Sequence, residues 1–297
     1  SHKKKKYVIL GVTGPNEYEN NVNNNWYTNY STKWCFEFTI DSIITIKKNH
    51  IKLFDKFSKK LNFKENEMDY WLEVSKNIYL NENKEYNVFV QQDGFFDKEL
   101  NEVDKIDYSE KPLNQNWSWD RILRSPYIKQ ADVLQGIYFF EEEFNIESIK
   151  SNYEFYQKFT VHESSLSPCI HSILASKLGK TESAYDLFKR ASRLDLDDYN
   201  SEVNEGLHIT SMAGSWLSIV EGFAGMRVKK NSLHFTPLLP KNWEELIFKI
   251  HFRKNIFRIK IEKNLFHCSS SLKHGIYIHV NNKKLKFNNN GKAYISI

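Results

Sequence analysis

Glu17 is the amino-terminal side chain whose setting best suits acid chemistry. It lies in a turn that follows Gly14 and precedes an asparagine-rich stretch, a sequence that leads into a helix. Three neighbouring rings, Tyr18, Trp26 and Tyr27, could form an apolar wall that raises the pKa of the carboxyl into the range of a general acid. The same spacing also fits an exposed turn residue without a chemical role, so the pattern alone leaves both interpretations open.

Segments with apolar residues three and four positions apart predict the helices that would position such a loop. These segments are residues 132–144, 149–159, 168–178 and 182–194. Ser167 and Pro168 suit the start of one helix, Gly179 suits its end, and Thr181 suits the start of the next. Helices paired through short turns predict an α/α architecture. Residues 41–126 are rich in Asn, Lys and aromatic residues, and helices can be placed there only loosely.

The carboxy-terminal part differs from the rest in charge and in periodicity. Residues 227–297 carry 15 Lys and Arg against 3 Asp and Glu, a net charge of +12, which leaves −7 for residues 1–226. Basic and apolar residues alternate at 246–253 and 257–262, which predicts half-buried strands. We therefore predict a mainly helical domain at 1–226 and a small antiparallel β domain at 227–297. A nucleic-acid-binding tail is a distant alternative, and its binding would fall steeply with salt.

The composition of the whole chain is that of an ordinary globular protein, with 297 residues and 40% hydrophobic residues. No run of about 18 apolar residues predicts a membrane span, and the Lys-rich start lacks the apolar stretch of a secretory signal. Cys35, Cys169 and Cys268 are widely spaced, which favours free thiols and a cytoplasmic location. The histidines form no HxxxH pair with carboxylate support, so we predict no metal site.

Four long blocks carry the most specific pattern. They read GVTGPNEYENNVNNNWYTN from Gly11, KQADV from Lys129, TVHESSLSPCIH from Thr160, and LDLDDYNSEVNEGLHITSMAGSWLSIVE from Leu194. In this order they resemble glycoside hydrolase family 65, which comprises maltose, trehalose, kojibiose and nigerose phosphorylases and a few hydrolases. The resemblance covers about residues 8–240. It implies a mainly α fold, namely the second part of an (α/α)6 barrel followed by the small β domain. One departure is Asn16, where the family usually has Asp.

By this resemblance Glu17 is the general acid, which protonates the glycosidic oxygen as the bond breaks. Lys129, Gln130 and Trp26 are then substrate-binding residues. A cation beside an amide suits the vicinal hydroxyls of the glucose in subsite −1, although Lys129 could instead be an exposed residue at a helix start. Asp132 is expected to support the first turn of that helix.

The resemblance also implies a phosphate site. Its predicted members are His208, Thr210, Ser211, Gly214, Ser164 and Ser165. Hydroxyls, an imidazole and amides beside a glycine supply several donors without bulk. The alternatives are a core histidine at position 208 and a tight helix contact along the Met-Ala-Gly-Ser run. Glu163 fits a capping box with Thr160, and it is the possible base if the enzyme is a hydrolase.

The reaction expected from the resemblance is inverting phosphorolysis of an α-glucosyl disaccharide, with maltose as the family-level expectation, to β-glucose 1-phosphate and a released sugar. Phosphate is already a nucleophile, so no second carboxylate is needed to activate water. Inorganic phosphate is then a co-substrate and no cofactor is expected. The alternatives are a family 65 hydrolase and an inactive carbohydrate-binding fragment.

Members of this family are much longer, and they supply the first part of the barrel before the block that carries the acid. We therefore expect a fragment or a split gene product. Its open inner face would be apolar, so the isolated chain should be poorly soluble or inactive. The expected partners are a missing amino-terminal portion or a second copy in a homodimer, with no nucleic acid and no membrane.

Overall fold

A computed structural model describes residues 1–230, 232–270 and 277–297. The chain divides into two compact units, Ser1–Val161 and His162–Ile297. In the second unit the last helical segment ends at Phe223 and the first strand begins at Arg227. The domain boundary that composition suggests at 226/227 stays a prediction. No described helix combines the length and apolar character that crossing a bilayer requires.

The first unit is helical apart from one short hairpin. Its helices are α1 (Trp26–Asn49), α2 (Ile51–Leu61), α3 (Glu67–Asn77), α4 (Leu113–Asn116), α5 (Trp119–Arg124), α6 (Val133–Phe139) and α7 (Ile146–Tyr156). The hairpin pairs β1 (Glu82–Asn83) with β2 (Val88–Phe89). Within residues 41–126, where the sequence places helices only loosely, residues 41–77 are mostly helical, and only residues 80–125 contain short elements joined by irregular chain. The predicted helix at 132–144 ends early, because a 3₁₀ turn at Glu141–Glu143 follows α6.

The start of α1 is fixed by the asparagine-rich stretch that the sequence singles out. Asn25 is the N-cap residue, and its Oδ1 accepts a hydrogen bond from the backbone nitrogen of Thr28 at 2.9 Å. At the other end Lys47 and Lys48 lie in the last turn, where positive charge suits the helix dipole. The predicted entry into a helix after the Glu17 turn is therefore confirmed.

Trp26 anchors the core of the first unit. Its ring is 2% exposed and stacks on Phe89 and Tyr30, with ring centroids 4.6 Å and 4.9 Å away. Gly136 makes room for this ring, because a Cβ at that position would lie 2.7 Å from Trp26 Cζ3. This packing holds α1 against α6, the two helices that follow the loops at residues 14–18 and 129–132.

The second unit begins with helices and ends with strands. Its helices are α8 (Ser167–Lys177), α9 (Thr181–Ser192), α10 (Leu194–Asp197) and α11 (Ile209–Leu217), which continues into a π-helix at Ser218–Phe223. Every residue of α8 from Ser167 to Ser176 is buried, so this helix forms the centre of the unit. The predicted pair of helices around Gly179 is confirmed, and Gly179 has the left-handed φ of 73° that ends many helices.

Two caps in this region differ from the sequence prediction. The Ser167 hydroxyl does not cap α8, because it lies 2.7 Å from Nδ1 of His162. The capping box proposed for Thr160 and Glu163 is wrong as well. Thr160 Oγ1 donates to the carbonyl of Tyr156 at 2.7 Å, and the next helix begins only at Ser167.

Among the described residues of the second unit, the strands form two four-stranded sheets. They are β3 (Arg227–Lys229), β4 (Ser232–Phe235), β5 (Glu245–Phe252), β6 (Asn255–Glu262), β7 (Leu265–Ser270), β8 (Tyr277–Val280), β9 (Lys283–Lys284) and β10 (Lys292–Ser296). The sheet β10-β7-β6-β5 is antiparallel throughout, and its strands alternate as predicted, with Leu246, Ile250 and Phe257 buried. In the sheet β3-β4-β8-β9, the pair β4–β8 is parallel. This pair departs from the antiparallel arrangement that the sequence predicts for the domain.

Tight turns set the register of these strands. Asn281 and Asn282, which join β8 to β9, have φ of 47° and 64°, and Arg253 and Lys254 take the same left-handed conformation between β5 and β6. Two consecutive residues at positive φ give the turn whose twist matches a hairpin.

Two buried histidines lie beside α8. The rings of His162 and His171 are 4.5 Å apart, centroid to centroid, and the carbonyl of His162 accepts a hydrogen bond from Arg190 at 3.0 Å. Burial lowers the pKa of His171 to about 3. Burial, together with His171 and Arg190, lowers the pKa of His162 as well. Both imidazoles are therefore neutral in the folded chain at neutral pH.

This pair predicts a loss of stability in mild acid. Below about pH 6.5 the unfolded chain binds two protons that the folded chain does not, so the free energy of unfolding falls by about 1.4 kcal/mol per pH unit for each histidine. Between pH 7.5 and 5, the slope of the unfolding free energy against pH, measured with denaturant, should be smaller in His171→Gln than in the parent by the contribution of one imidazole. Groups such as Asp132, whose raised pKa acts in the opposite direction, contribute equally to both proteins. If His171→Gln showed the same pH dependence of the unfolding free energy as the parent, the assignment of a neutral buried imidazole at position 171 would be contradicted.

Candidate active site

Glu17 lies at the surface of the first unit and pairs with a cation from the KQADV block. Its Oε2 is 2.7 Å from Nζ of Lys129, and 53% of its side chain is exposed. Burial raises the pKa of this carboxyl, but the hydrogen bond and charge of Lys129, with a further hydrogen bond from Gln130, outweigh that effect, so the pKa is lowered. Three side chains predicted to share a site therefore lie together.

The aromatic residues next to Glu17 in sequence do not form the predicted apolar wall around its carboxyl. The Tyr18 ring is buried in a cluster that includes Leu113 and Ile122, and the Tyr18 hydroxyl accepts a hydrogen bond from the backbone of Asn114. Because the ion pair dominates, the predicted rise in the pKa of Glu17 is wrong for the chain without substrate. A lowered pKa means that Glu17 is ionised here.

Trp26 does not line this site. Its ring lies in the core between Tyr30 and Phe89, where almost none of its surface is accessible. The prediction that Trp26 binds substrate is therefore corrected to a structural role. The physical reason is the position of Trp26 at the start of α1. The turn that places Asn25 at the N-cap of this helix also directs the Trp26 side chain into the core.

Gln130 has an acceptor with no partner in the described residues. Its side chain is 4% exposed, and Oε1 has no hydrogen bond although Gln130 donates to Glu17. A buried carbonyl oxygen without a donor costs about 1–3 kcal/mol. A sugar hydroxyl is a donor of the right kind to satisfy it. This oxygen, the Lys129 ammonium and the Glu17 carboxyl offer an acceptor, a donor and an acid side by side.

The loop that carries Glu17 is held by Asn16 and Asp132. Asn16 is fully buried, and its Oδ1 accepts from the backbone nitrogens of Lys129 at 2.9 Å and Tyr18 at 3.2 Å. The backbone nitrogen of Asn16 donates to Oδ2 of Asp132 at 3.1 Å. These bonds join the segment on either side of Glu17 to the segment that contains Lys129. Sequence reasoning noted Asn16 only as a departure from the family pattern and missed its structural role.

Asp132 differs from its predicted role. It occupies the N-cap position of α6, yet its side chain makes no capping bond; it accepts instead from Nδ2 of Asn25 and from Asn16. Burial raises the pKa of Asp132 to about 7, against the hydrogen bonds from Asn16 and Asn25, and the nearby Glu19 raises it further. The expected support of the first helical turn is therefore replaced by support of the loop at residues 14–18.

The predicted anion residues lie in the second unit, around the start of α11. Nδ1 of His208 is 2.5 Å from Oδ1 of Asp195, and the His208 backbone donates to the other oxygen of that carboxylate. The second ring nitrogen faces Glu202 at 3.7 Å. His208 is therefore an oriented imidazole rather than a core histidine. The hydrogen bond from His208 lowers the pKa of Asp195.

Two of the hydroxyls predicted to bind the anion lie next to each other. Ser165 Oγ and Thr210 Oγ1 are 2.6 Å apart at the surface, next to the first turn of α11. Ser164 is more buried, and its Oγ accepts from the backbone of Leu166 at 3.2 Å, which leaves its own proton to be donated elsewhere. These residues bring donors from two segments of the second unit together.

Ser211 and Gly214 do not contribute donors in the way predicted. Ser211 is buried, and its hydroxyl donates to the carbonyl of Ala191 at 2.6 Å, so its single proton joins α11 to α9. A Cβ at Gly214 would lie 2.9 Å from Sγ of Cys169, which shows that this glycine allows close contact between α11 and α8. Both predictions are corrected, and the alternative of a tight helix contact explains the Met-Ala-Gly-Ser run.

Glu163 is a buried carboxylate in the loop before α8, 3% exposed, next to Ser164. Of the predicted anion residues, Ser164 is its immediate neighbour in the chain. Among the described residues, no group of three or more His, Cys, Asp and Glu side chains has the arrangement needed to hold a metal ion.

Comparison with known proteins identifies two regions. Residues 1–217 match the model of the glycosyl hydrolase family 65 central catalytic domain, and residues 226–287 match the C-terminal domain of the same family. The chain is 52% identical to maltose phosphorylase of Bacillus subtilis (strain 168) over 87% of its length, and 43% identical to alpha,alpha-trehalose phosphorylase of Thermoanaerobacter brockii over 84%. It spans about a third of the length of these relatives, 33% and 32%.

A solved structure has the same fold as this chain over the matched region. That structure, named "Putative kojibiose phosphorylase from human microbiome", superposes with a TM-score of 0.89 at 38% identity. The match covers 100% of this chain and 43% of the other. Helices followed by small β-sheets are therefore shared with that protein.

The ion pair with Lys129 predicts the titration of Glu17. Replacing Lys129 with Met removes the nearest cation but leaves the partial burial, so the pKa of Glu17 should rise. The carboxyl resonance of Glu17, followed by NMR across pH in labelled protein, measures this directly. Lys158→Met, which breaks a lysine–glutamate pair elsewhere in the unit, is the matched control and should leave the titration of Glu17 unchanged. An unchanged pKa in Lys129→Met would contradict the assigned cause.

Proposed function

Because the chain belongs to glycoside hydrolase family 65, we propose that it works in an inverting phosphorolysis of an α-glucosyl disaccharide. The products are β-glucose 1-phosphate and the released sugar. The observation that carries this proposal is the group formed by Glu17, Lys129 and Gln130, with its unpartnered amide oxygen. Relatives named as disaccharide phosphorylases support the reaction class.

Glu17 serves as the acid in this proposal. A glycosidic oxygen leaves as an alkoxide unless it receives a proton while the bond breaks, so the carboxyl must be protonated when the substrate is in place. In the structure it is ionised through its contact with Lys129. Glucose hydroxyls that bind Lys129 and Gln130 compete for the two groups that stabilise the carboxylate. Substrate binding therefore raises the pKa of Glu17 and prepares it to give its proton.

Phosphate is the nucleophile, and it approaches the anomeric carbon on the face opposite the leaving sugar. We assign its binding to His208, Thr210, Ser165 and Ser164. Asp195 orients the His208 ring through Nδ1. Hydroxyl donors suit a dianion, because hydrogen bonds to charged groups are the stronger ones. Phosphate is a co-substrate, and no cofactor is required.

A hydrolase of the same family is the second candidate, and Glu163 favours it. This buried carboxylate adjoins the anion residues and could accept a proton from water. Under either reaction Glu17 has the same task, so the two candidates differ only in the attacking group.

Maltose is the substrate we propose first, because the maltose phosphorylase relative is 52% identical. We further propose that the helices form part of an (α/α)6 barrel, that the protein acts in the cytoplasm, and that its partner is a polypeptide that supplies the rest of such a barrel or a second copy of this chain. The TM-score of 0.89 and the three free cysteines support these assignments.

Phosphate dependence tests the reaction. With maltose, trehalose, kojibiose and nigerose, the longest natural polypeptide that contains these residues should release β-glucose 1-phosphate only when phosphate is present. Glu17→Gln should lower kcat on the preferred disaccharide by about 100-fold to 10,000-fold, since general acid catalysis contributes about that much. Equal glucose release with and without phosphate would instead establish the hydrolase.

The anion site is tested by two neighbouring hydroxyls of α11. Thr210→Val should raise the KM for phosphate by about tenfold, the loss of one hydrogen bond to a charged group. Ser211→Ala should leave that KM unchanged and lower the melting temperature, because its hydroxyl bonds to Ala191. A larger effect of Ser211→Ala than of Thr210→Val on the phosphate KM would restore the original prediction for Ser211 and contradict this assignment.

A further inference from the structure

Asp132 is buried where three segments of the first unit meet: the loop at residues 14–18, the start of α1 and the start of α6. Nδ2 of Asn25 lies 3.0 Å from its Oδ1 and 3.1 Å from its Oδ2, and the backbone nitrogen of Asn16 lies 3.1 Å from Oδ2. Each of these contacts delivers an N–H donor to the carboxylate. Asp132 is 2% exposed, so it is a binding partner for protein groups and not for a sugar.

Asn25 and Asn16 extend this contact in two directions. Oδ1 of Asn25 caps α1 through Thr28, so Asp132 is linked to the first turn of the longest helix of this unit. Oδ1 of Asn16 accepts from the backbone of Tyr18 and of Lys129. The residues immediately before and after Glu17 are thus both held, and the segment that carries Lys129 is held by the same amide.

Gly14 shows how closely the loop approaches this carboxylate. A Cβ at position 14 would lie 2.3 Å from Nδ2 of Asn25 and 2.6 Å from Oδ2 of Asp132. Both atoms are fixed by hydrogen bonds to each other, so neither can move aside at low cost. Only glycine lets the backbone pass here while the Asp132–Asn25 contact is kept.

We infer that Asp132 is a positioning residue for the general acid: through Asn16 and Asn25 it fixes the loop that carries Glu17 against the segment that carries Lys129 and Gln130. This inference rests on the proposed function of Glu17. The proton donor must meet the glycosidic oxygen within hydrogen-bond distance, and a displacement of about 1 Å can cost about 100-fold in rate. A network that holds the loop on both sides of the acid prevents such a displacement.

Two substrates separate positioning of the acid from a general structural role. A disaccharide needs a proton on its leaving oxygen. With α-glucosyl fluoride, the bond from C1 to fluorine breaks, a bond from C1 to phosphate oxygen forms, and fluoride departs as an anion without a proton. A variant that misplaces Glu17 should therefore lose activity on the disaccharide and keep it on the fluoride.

Asp132→Asn is the test variant in the longest natural polypeptide. It places an N–H₂ where Asn16 and Asn25 present donors, so the loop should shift. We expect kcat on the disaccharide to fall about 100-fold, the rate on the fluoride to fall by less than about tenfold, and the KM for phosphate to stay unchanged. Gly14→Ala, which leaves the charge in place and pushes the loop away, should give the same pattern and serves if Asp132→Asn does not fold.

Asn29→Ala is the matched control, because Asn29 is buried on the same helix and donates to the carbonyl of Tyr79 at 2.7 Å, away from the loop. It should lower stability and leave the ratio of the two rates as in the parent. Equal losses on both substrates in Asp132→Asn and Gly14→Ala would overturn the inference. A parent protein inactive on both substrates would overturn the proposed function itself. If water rather than phosphate attacks, the ratio of the rates on the disaccharide and the fluoride still tests the position of Glu17, because only the disaccharide needs the proton.

Discussion

The Asp132 carboxylate, buried among N–H donors from Asn16 and Asn25, is the constraint on which the candidate site depends. It ties the loop of Glu17 to the start of α1 and to the segment that carries Lys129. Burying a charge is costly, and the raised pKa of Asp132 reflects that cost. The hydrogen bonds offset part of it. The glycine at position 14 and the asparagines at 16 and 25 are all explained by this one contact.

The surroundings of Glu17 determine whether its carboxyl is protonated. An acid that stays protonated in water at neutral pH needs an apolar setting, yet Glu17 is half exposed and paired with Lys129. The same Lys129 and Gln130 are suited to glucose hydroxyls, so the groups that ionise the carboxyl are the ones that a substrate would engage. Under the proposed function, substrate binding and protonation of Glu17 are coupled, so that the acid becomes competent when a sugar is bound. In the second unit Asp195 fixes the orientation of the His208 ring, which the proposed function assigns to phosphate binding.

Sequence reasoning found the parts of the site that depend on residue type and failed where packing decides. The helix pair around Gly179, the alternating strands and the association of Glu17 with Lys129 and Gln130 were all predicted. The roles predicted for Trp26 and Ser211 were wrong, because the sequence of a matching block does not show whether a ring or a hydroxyl faces a substrate or the core. Asp132 was misjudged for a related reason: its position at a helix start suggests a cap, and only the folded loop shows its partners. The parallel pair β4–β8 depends on contacts distant in sequence, which local patterns do not contain.

The pH dependence of the reaction tests the coupling of binding to protonation most directly. The alkaline limb of kcat/KM reports the acid before the disaccharide binds, and that of kcat reports it in the complex. Measured at saturating phosphate, the limb of kcat should lie at higher pH than that of kcat/KM, and Lys129→Met should bring the two together. Coincident limbs in the parent protein would contradict the account, because they would show that the disaccharide leaves the pKa of Glu17 unchanged.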